Sequence, residues 1–370
     1  MASQMTRRQV LGGTAAIGMM PFVPHRAAAA MPDFAAFNAS YATDIALPAF
    51  TNLRKSCAVW ADNVAAFASS SSGAKLDLAL DGFDPVSDAW IGAQQFRMGP
   101  LTSAGRAERF SCWPEQDDVI AAEFSRLLAS DDPLDLSPSR FSTENIAVQG
   151  LPLLERMIYG FGQPRKLRHF FMDLVQDFMV SDRARRRCEI FRAITANLHA
   201  IAEEVEVGWS DAIADIGASE MPFSSSPIEA TTRFYVDMLN MLQIVTERKI
   251  AVPLGADVAS ERPELGEQWR SGRSSENIRI NLTAISRSVL SSAGFVKLLP
   301  ADRQDLANHV RDAFATLRLR RNLNVQVGGE SIMPTPEERH AHQLLWLGEI
   351  NRLRDILAHE LPSAIGIKLP

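Results

Sequence analysis

Apolar residues recur three and four positions apart in segment after segment of this chain. Residues at that spacing lie on one face of an α-helix, whereas a half-buried strand alternates apolar and polar residues. Strand-like alternation is nearly absent. Two stripes show the helical pattern most clearly: Leu344, Leu347, Ile350, Leu353, Leu357 and Leu361 in one, and Phe170, Leu174 and Phe178 in the other. The sequence therefore predicts an all-α fold.

Residues 1–30 have the order of an export signal. Arg7 and Arg8 precede the apolar run 12–23, and the alanines at 27–30 follow as a cleavage region. The paired arginines are typical of the twin-arginine export route, and the apolar run is too short to span a bilayer. We therefore predict cleavage near the end of those alanines and a mature protein that is soluble in the periplasm.

The mature chain, roughly 340 residues long, exceeds the length that one hydrophobic core usually serves. Its proline-rich and serine-rich breaks lie at residues 69–72, 131–142, 218–227 and 328–336. The break at 218–227 lies near the middle and predicts a boundary between an N-terminal domain, 31–220, and a C-terminal domain, 221–370. Each half has room for about four long helices, which fits a helical bundle.

Charge and cysteine content exclude several classes of function. The net charge is −6 and acidic and basic residues are interspersed, so the chain lacks the electrostatic footprint of a nucleic-acid-binding protein. The three cysteines, Cys57, Cys112 and Cys188, cannot all pair within one chain, which leaves one disulfide or none. Because no two of them have Cys-x-x-Cys spacing, the sequence predicts neither a redox motif nor a thiolate metal site.

The sequence contains no complete catalytic motif. Gly-x-Ser-x-Gly, a glycine-rich phosphate loop, Cys-x-x-Cys-His and His-Glu-x-x-His are all absent. His199 lies four residues before Glu203 on one helix face, a position more typical of a half-buried helix residue than of a ligand. His340 and His342 follow a predicted helix start at which neighbouring acids serve as caps. Hydrolysis therefore has no complete set of groups in this sequence.

Four stretches of the mature chain carry a family resemblance. They are Gly150-Leu-Pro-Leu-Leu-Glu155, Trp90-Ile-Gly-Ala-Gln-Gln-Phe-Arg-Met-Gly-Pro100, Phe110-Ser-Cys-Trp-Pro114, and Trp269-Arg-Ser-Gly-Arg-Ser274 followed by Asn277-Ile278. Together they resemble the imelysin-like family, also called the M75 peptidase or iron-regulated protein A family. In that family the first stretch reads Gly-x-His-x-x-Glu, so Pro152 stands in the place of the histidine.

The resemblance implies two packed helical bundles with the functional site near their interface. A histidine and a glutamate three residues apart on a helix can share a metal ion or a proton. Pro152 removes the imidazole and leaves Glu155 as the one metal ligand of the motif. The candidate ligand-binding residues are Glu155, Trp90, Gln94, Arg97, Trp113, Arg270, Arg273 and Ser274. Arginines of this sort offer bidentate donors to a carboxylate or phosphate, and tryptophans can wall a pocket.

The same residues also have purely structural interpretations. Gly150 and Pro152 suit a helix start, where the N–H that proline lacks has no partner within the helix. Glu155 would then be a first-turn carboxylate that complements the helix dipole. Arg97 and Arg273 would pair with acidic residues across the domain interface and hold the two bundles in register.

Together with the export signal, the resemblance implies an exported periplasmic binding protein, not a peptidase, that serves iron uptake or envelope metal handling. Its expected partners are periplasmic or membrane components of iron transport. One alternative is an M75-type metallopeptidase, and another is a scaffold that binds a peptide or a small anion at the domain interface. A third is iron bound by carboxylates alone, because hard oxygen ligands suit iron. Iron is thus the one cofactor that the sequence suggests, with Glu155 as its candidate ligand.

Overall fold

The computed structural model describes residues 32–115, 117–160, 168–217, 224–319, 325–327, 330–332 and 335–370. The predicted export signal, 1–30, lies outside these residues. The described residues are predominantly helical, so the all-α prediction is confirmed. Pro32–Pro370 forms one compact unit. The predicted domain boundary falls at 218–223, also outside the described residues, and the division into two domains stays a prediction.

Helices of very different lengths make up the described chain. The α-helices are α1 Phe34–Tyr41, α2 Leu47–Ser69, α3 Gly73–Asp81, α4 Phe83–Ala93, α5 Arg106–Phe110, α6 Asp117–Ala129, α7 Pro138–Phe141, α8 Leu151–Tyr159, α9 Arg168–Val175, α10 Ala184–Gly217, α11 Pro227–Gln243, α12 Val252–Leu254, α13 Ser274–Leu290, α14 Gln304–Leu319, α15 Pro336–Asp355 and α16 Leu361–Ala364. The π-helical turns are Ala42–Ala46, Gln176–Val180, Ile244–Ala251 and Ile356–Glu360. The 3-10 turns are Gly99–Leu101, Ser103–Gly105, Pro133–Leu136, Ile146–Val148, Val258–Ser260, Pro263–Leu265, Phe295–Leu298 and Ala301–Arg303.

Two three-residue strands, β1 Val325–Val327 and β2 Glu330–Ile332, pair antiparallel with Val325 opposite Ile332. This pair was not predicted, because strands this short carry too few residues to show an alternating pattern.

Capping residues explain where several helices begin. Ser226 Oγ accepts a hydrogen bond from Glu229 N at 3.3 Å at the start of α11. Thr335 and Glu338 form a reciprocal capping box at the start of α15: Thr335 Oγ1 accepts from Glu338 N at 3.2 Å, and Glu338 Oε2 accepts from Thr335 N at 2.8 Å. The predicted capping role of the acids ahead of His340 is therefore confirmed for Glu338.

The packing of the long helices brings the two halves of the sequence together. Helix α2 packs against α10 and α4, and α4 packs in turn against α13. Stacked aromatic rings continue this contact in the core. Trp209 lies 5.6 Å from Phe50 and 6.2 Å from Phe234, measured between ring centres, and Phe234 lies 4.8 Å from Tyr41. One hydrophobic core therefore runs from the first half of the chain into the second.

The two apolar stripes are confirmed in most positions. Leu174 and Phe178 are buried, while the side chain of Phe170 lies outside the described residues. In the other stripe, the residues from Ile350 to Leu361 are buried, but Leu344 is 46% exposed. The prediction for Leu344 was wrong because Trp346 takes the inward position one turn before Ile350, and a residue two positions earlier points away from that face.

Two further findings bear on environment. Cys57, Cys112 and Cys188 are all free thiols, so no disulfide joins them. Among the helices that the structure describes, none is both long and apolar enough to cross a membrane.

Candidate functional site

Helix α8 positions Glu155 deep inside the protein. The helix begins at Leu151 with Gly150 as its N-cap and Pro152 in its first turn, so the structural interpretation of these two residues as a helix start holds. Glu155 lies one turn further in, and its exposure is 0%. The expectation of a first-turn carboxylate was therefore wrong. At this depth the carboxylate needs partners from other elements instead of the helix terminus.

Those partners come from the segment just before α13. Glu155 Oε1 accepts hydrogen bonds from Ser271 N at 2.8 Å and from Ser271 Oγ at 2.6 Å. Glu155 Oε2 lies 3.9 Å from Arg270 Nη1, which also forms an ion pair with Glu115. Among the described residues, Oε2 itself has no hydrogen-bond partner.

This environment favours the neutral form of Glu155. Burial raises the pKa of Glu155 from 4.5 to about 7, and the negative charge of Glu115 adds to the increase. The two hydrogen bonds from Ser271 and the positive charge of Arg270 act in the opposite direction. The pKa of Glu155 thus lies near neutral pH.

A second buried polar cluster surrounds Lys249, in the π-helical turn that follows α11. Lys249 Nζ donates to Gln94 Oε1 at 2.8 Å, to Glu267 Oε2 at 2.5 Å and to Asn281 Oδ1 at 2.7 Å. Gln94 Nε2 in turn donates to Glu267 Oε1 at 2.7 Å. Burial lowers the pKa of Lys249, while the carboxylate of Glu267 opposes that change. The predicted residue Gln94 therefore belongs to a closed network that joins both halves of the chain.

Three other predicted site residues have structural partners. Arg273 forms ion pairs with Asp84, at 3.3 Å, and with Asp88, both on α4. Ser274 Oγ donates to the backbone carbonyl of Glu267 at 3.0 Å. Trp90 is buried and stacks on Phe110, with 4.5 Å between ring centres. Arg273 therefore pairs with acidic residues from the other half of the chain, as its structural interpretation predicted.

Gly150 allows an unusually close approach of two chain segments. A Cβ atom at this position would lie 2.2 Å from the backbone oxygen of Phe110 and 2.6 Å from that of Arg109. Any residue other than glycine would push the start of α8 away from α5. The glycine thus fixes the position of the helix that carries Glu155.

The predicted residues Arg97 and Trp113 line one open cavity. Its volume is about 470 Å³, and Arg248 and Glu247 line it as well. A neighbouring cavity of about 350 Å³ shares Trp113 and Arg248. Both arginine residues are exposed, and neither guanidinium lies within ion-pair distance of a carboxylate among the described residues, although the charge of Arg97 lowers the pKa of Asp237. Glu247 is already held by Gln243 Nε2, at 3.0 Å, and by Arg354, at 3.7 Å.

The donor set at Glu155 does not fit a metal ion. The described residues contain no group of three or more histidine, cysteine, aspartate or glutamate side chains arranged to hold one. Next to Glu155, the guanidinium of Arg270 already contacts both carboxylates, Glu115 and Glu155. The positive charge next to the two acids is thus the guanidinium of Arg270, and Pro152 offers no imidazole ligand.

Sequence reasoning missed five residues that complete these sites. Glu115 and Ser271 were within reach of it, because Glu115 directly follows the Phe110–Pro114 stretch and Ser271 lies inside the Trp269–Ser274 stretch. Their partner, Glu155, was named. Lys249, Glu267 and Arg248 gave no local signal, since a charged residue in a helical pattern is ordinarily solvent-exposed.

Comparisons with known proteins agree with the architecture described above. A sequence model of the imelysin family, peptidase family M75, matches residues 46–343. The fold is similar to that of an imelysin-like protein from Psychrobacter arcticum 273-4, with a TM-score of 0.69 and 14% identity over 91% of this chain and 96% of that one. It is also similar to a putative iron-regulated protein A precursor from Parabacteroides distasonis ATCC 8503, with a TM-score of 0.66 and 16% identity over 90% and 95% of the two chains. No curated protein matches the sequence significantly.

Proposed function

The chain belongs to the imelysin family, and from this premise we propose that it is an exported, non-peptidase binding protein that takes part in iron uptake or envelope metal handling. We place it in the periplasm on the strength of the twin-arginine pattern at Arg7 and Arg8. The link to iron is supported by the likeness to a putative iron-regulated protein A precursor. Its partners would be periplasmic or membrane components of iron transport.

The motif residue Glu155 supports binding without peptide hydrolysis. A general base must reach the proton that it abstracts, but Glu155 is fully buried and both hydrogen bonds to its Oε1 come from Ser271. Pro152 replaces the imidazole of the motif. The carboxylate therefore joins α8 to the segment before α13 through its hydrogen bonds.

The observation that carries the proposal is the pair of unpaired guanidinium groups around Trp113. Arg97 and Arg248 come from different halves of the chain and line the same 470 Å³ cavity with Trp113. Arginine side chains without a carboxylate partner bind anions through planar, bidentate hydrogen bonds. The cavity thus fits a small anion of the carboxylate class.

An anion site and an iron-related role are compatible if the metal arrives as an anionic chelate. Bare iron needs several hard oxygen or imidazole ligands, which the described residues do not bring together. A ferric complex of a small polycarboxylate carries excess negative charge on its surface, which Arg97 and Arg248 can bind. We take ferric citrate as the probe for this class.

Isothermal titration calorimetry on the chain from residue 32 onward, one compact unit, tests the proposal. Ferric citrate should bind the wild type, and Arg97→Ala combined with Arg248→Ala should weaken binding at least tenfold, because each charge-assisted contact contributes about 1.5–3 kcal/mol. Arg352→Ala, which removes an exposed arginine on α15 paired with Glu349 at 2.8 Å, is the matched control. Equal affinity of the double variant, or no binding to the wild type, would refute the anion site.

Two separate measurements test the alternatives, direct iron binding by Glu155 and peptidase activity. Titration with ferrous and ferric iron, beside Glu155→Ala, should show no Glu155-dependent site. The same two proteins should leave a broad peptide library uncleaved. Cleavage by the wild type that is lost in Glu155→Ala would instead support the metallopeptidase alternative.

A further inference from the structure

A cavity of about 540 Å³ is lined entirely by residues of the second half of the chain, and neither Arg97 nor Trp113 is among them. Two tryptophans, Trp269 before α13 and Trp346 on α15, line it together with His342 and apolar residues of the Ile250–Leu254 segment. The volume falls in the range of about 300–1,000 Å³ that small-molecule sites occupy. Arg270 stacks on Trp269, with its guanidinium carbon 4.8 Å from the ring centre, and fixes that indole in place.

Trp346 has an unsatisfied hydrogen-bond donor at this cavity. The side chain is 9% exposed, and its Nε1 is buried without a partner. Buried indole N–H groups are ordinarily hydrogen-bonded, and one left unpaired costs free energy. For comparison, the buried Trp60 donates its Nε1–H to the carbonyl of Ala79 at 2.7 Å. Trp346 lines the cavity and its Nε1–H has no partner among the described residues, so a ligand acceptor that reaches this atom would satisfy the donor.

The charged residues around the cavity are paired within the protein. Lys249 is bonded to Glu267 at 2.5 Å, Arg279 to Glu276 at 2.7 Å through Nε, and Glu261 to His340 at 2.7 Å. A charged ligand would gain no free counter-charge and would lose its hydration. His342 offers a further polar group, and no hydrogen bond within the described residues engages it. The lining therefore favours an uncharged ligand.

We propose that this cavity binds a small, uncharged, planar ring compound whose carbonyl oxygen accepts the indole N–H of Trp346 while its ring packs against Trp269. Flat rings bury a large apolar area between aromatic walls. The carbonyl would satisfy the buried Nε1–H of Trp346, which has no partner among the described residues. This site is separate from the anion cavity at Arg97 and does not rest on that proposal.

Nuclear magnetic resonance of ¹⁵N-labelled tryptophan side chains tests the site directly in the chain from residue 32 onward. Coumarin is the probe, because it is planar, uncharged and carries one carbonyl acceptor. The indole resonance of Trp346, assigned by its loss in Trp346→Phe, should shift in a saturable way. The resonance of Trp60, already hydrogen-bonded to Ala79, should stay in place.

Matched probes and variants separate the parts of the proposal. Trp346→Phe keeps an aromatic wall but removes the donor, so it should weaken coumarin about five- to tenfold and leave naphthalene, which has no acceptor, nearly unchanged. Coumarin-3-carboxylate should bind more weakly than coumarin because of its charge. Ser275→Phe, at an exposed position of the lining, should block the cavity even if Trp346→Phe fails to fold.

Three results would overturn the proposal: no saturable shift of Trp346 with coumarin at about millimolar concentration, equal coumarin affinity in Trp346→Phe, or tighter binding of the carboxylate than of coumarin. Saturable binding that Ser275→Phe removes and Trp346→Phe weakens would support it. The anion-binding calorimetry is independent, because Arg97 and Arg248 do not line this cavity.

Discussion

Glu155 and Ser271 are joined by two hydrogen bonds to one oxygen, although 116 positions separate them in the chain. Both the backbone N–H and the hydroxyl of Ser271 donate to Oε1. This pairing docks the segment before α13 against α8, and it places Arg270 where it can contact both Glu155 and Glu115. The retained glutamate of the family motif is therefore a structural contact between the two halves of the chain.

Glu155→Gln should change how stability depends on pH. The pKa of Glu155 is about 7 in the folded protein and 4.5 ordinarily, so over that window the folded state holds a proton that the unfolded state has released. Unfolding then releases a proton, and rising pH favours unfolding. The wild type should lose on the order of 2 kcal/mol relative to Glu155→Gln between about pH 5 and about pH 8.

Urea unfolding at a series of pH values measures this difference. Glu203→Gln, which removes a carboxylate from the exposed surface of α10, controls for a general change in net charge. Parallel pH profiles for the wild type and Glu155→Gln would contradict the raised pKa.

Ser271→Ala should destabilise the protein through Glu155. The variant loses the 2.6 Å hydrogen bond but keeps the 2.8 Å bond from the backbone, so the expected loss is about 1–2 kcal/mol. At about pH 8, where wild-type Glu155 is ionised, the loss should be smaller in the Glu155→Gln background, because the acceptor there carries no charge. A double-mutant cycle should give a coupling energy of at least about 0.5 kcal/mol.

The control for this cycle is Ser125→Ala, whose hydroxyl donates only to the carbonyl of Ala121 within α6, at 2.8 Å. It should change the free energy of unfolding by less than about 0.5 kcal/mol. A coupling energy near zero for Glu155 and Ser271 would mean that their contact does not hold the segment in place.

Lys249→Met should be strongly destabilising, and a second substitution should recover part of the loss. Without the ammonium group, Glu267 remains buried and charged, which costs about 3–5 kcal/mol. Glu267→Gln in the same chain removes the uncompensated charge, so the double variant should be more stable than Lys249→Met alone. Thermal unfolding followed by circular dichroism measures both, with Arg352→Ala as the exposed control. A double variant less stable than Lys249→Met would contradict this account.

The helices were predictable because burial along a helix follows a local period. Ile350, Leu353 and Leu357 are buried as their spacing predicts. The prediction for Leu344 was wrong because Trp346, two positions later, takes the inward position instead. Which of the two is buried depends on the residues that α15 packs against, including those that line the cavity with Trp346. Local periodicity does not contain that information.

The site was predictable only in part, because its contacts span long distances in sequence. Glu155 was identified by the motif, but its partner Ser271 became evident only from the docking of two remote segments. Lys249 illustrates the same limit more strongly. A lysine is buried only when several acceptors converge on it, and its acceptors Gln94, Glu267 and Asn281 come from three separate elements.

Gly150→Ala should destabilise the protein by its contact with α5, not by its backbone conformation. The φ of Gly150 is −139°, which any residue adopts, so the substitution causes no dihedral strain. The new Cβ would instead lie 2.2 Å from the backbone oxygen of Phe110, and a backbone atom cannot swing aside as a side chain can. Forcing the segments apart should cost about 1–3 kcal/mol or more, and it should also displace Glu155 from Ser271.

Gly73→Ala is the matched control, because a Cβ there meets nothing within 4 Å. The stability of this control should stay within about 0.5 kcal/mol of the wild type or rise slightly. Urea unfolding of the two variants decides the matter: similar stabilities would show that α8 can shift without cost and that the glycine only marks the start of a helix.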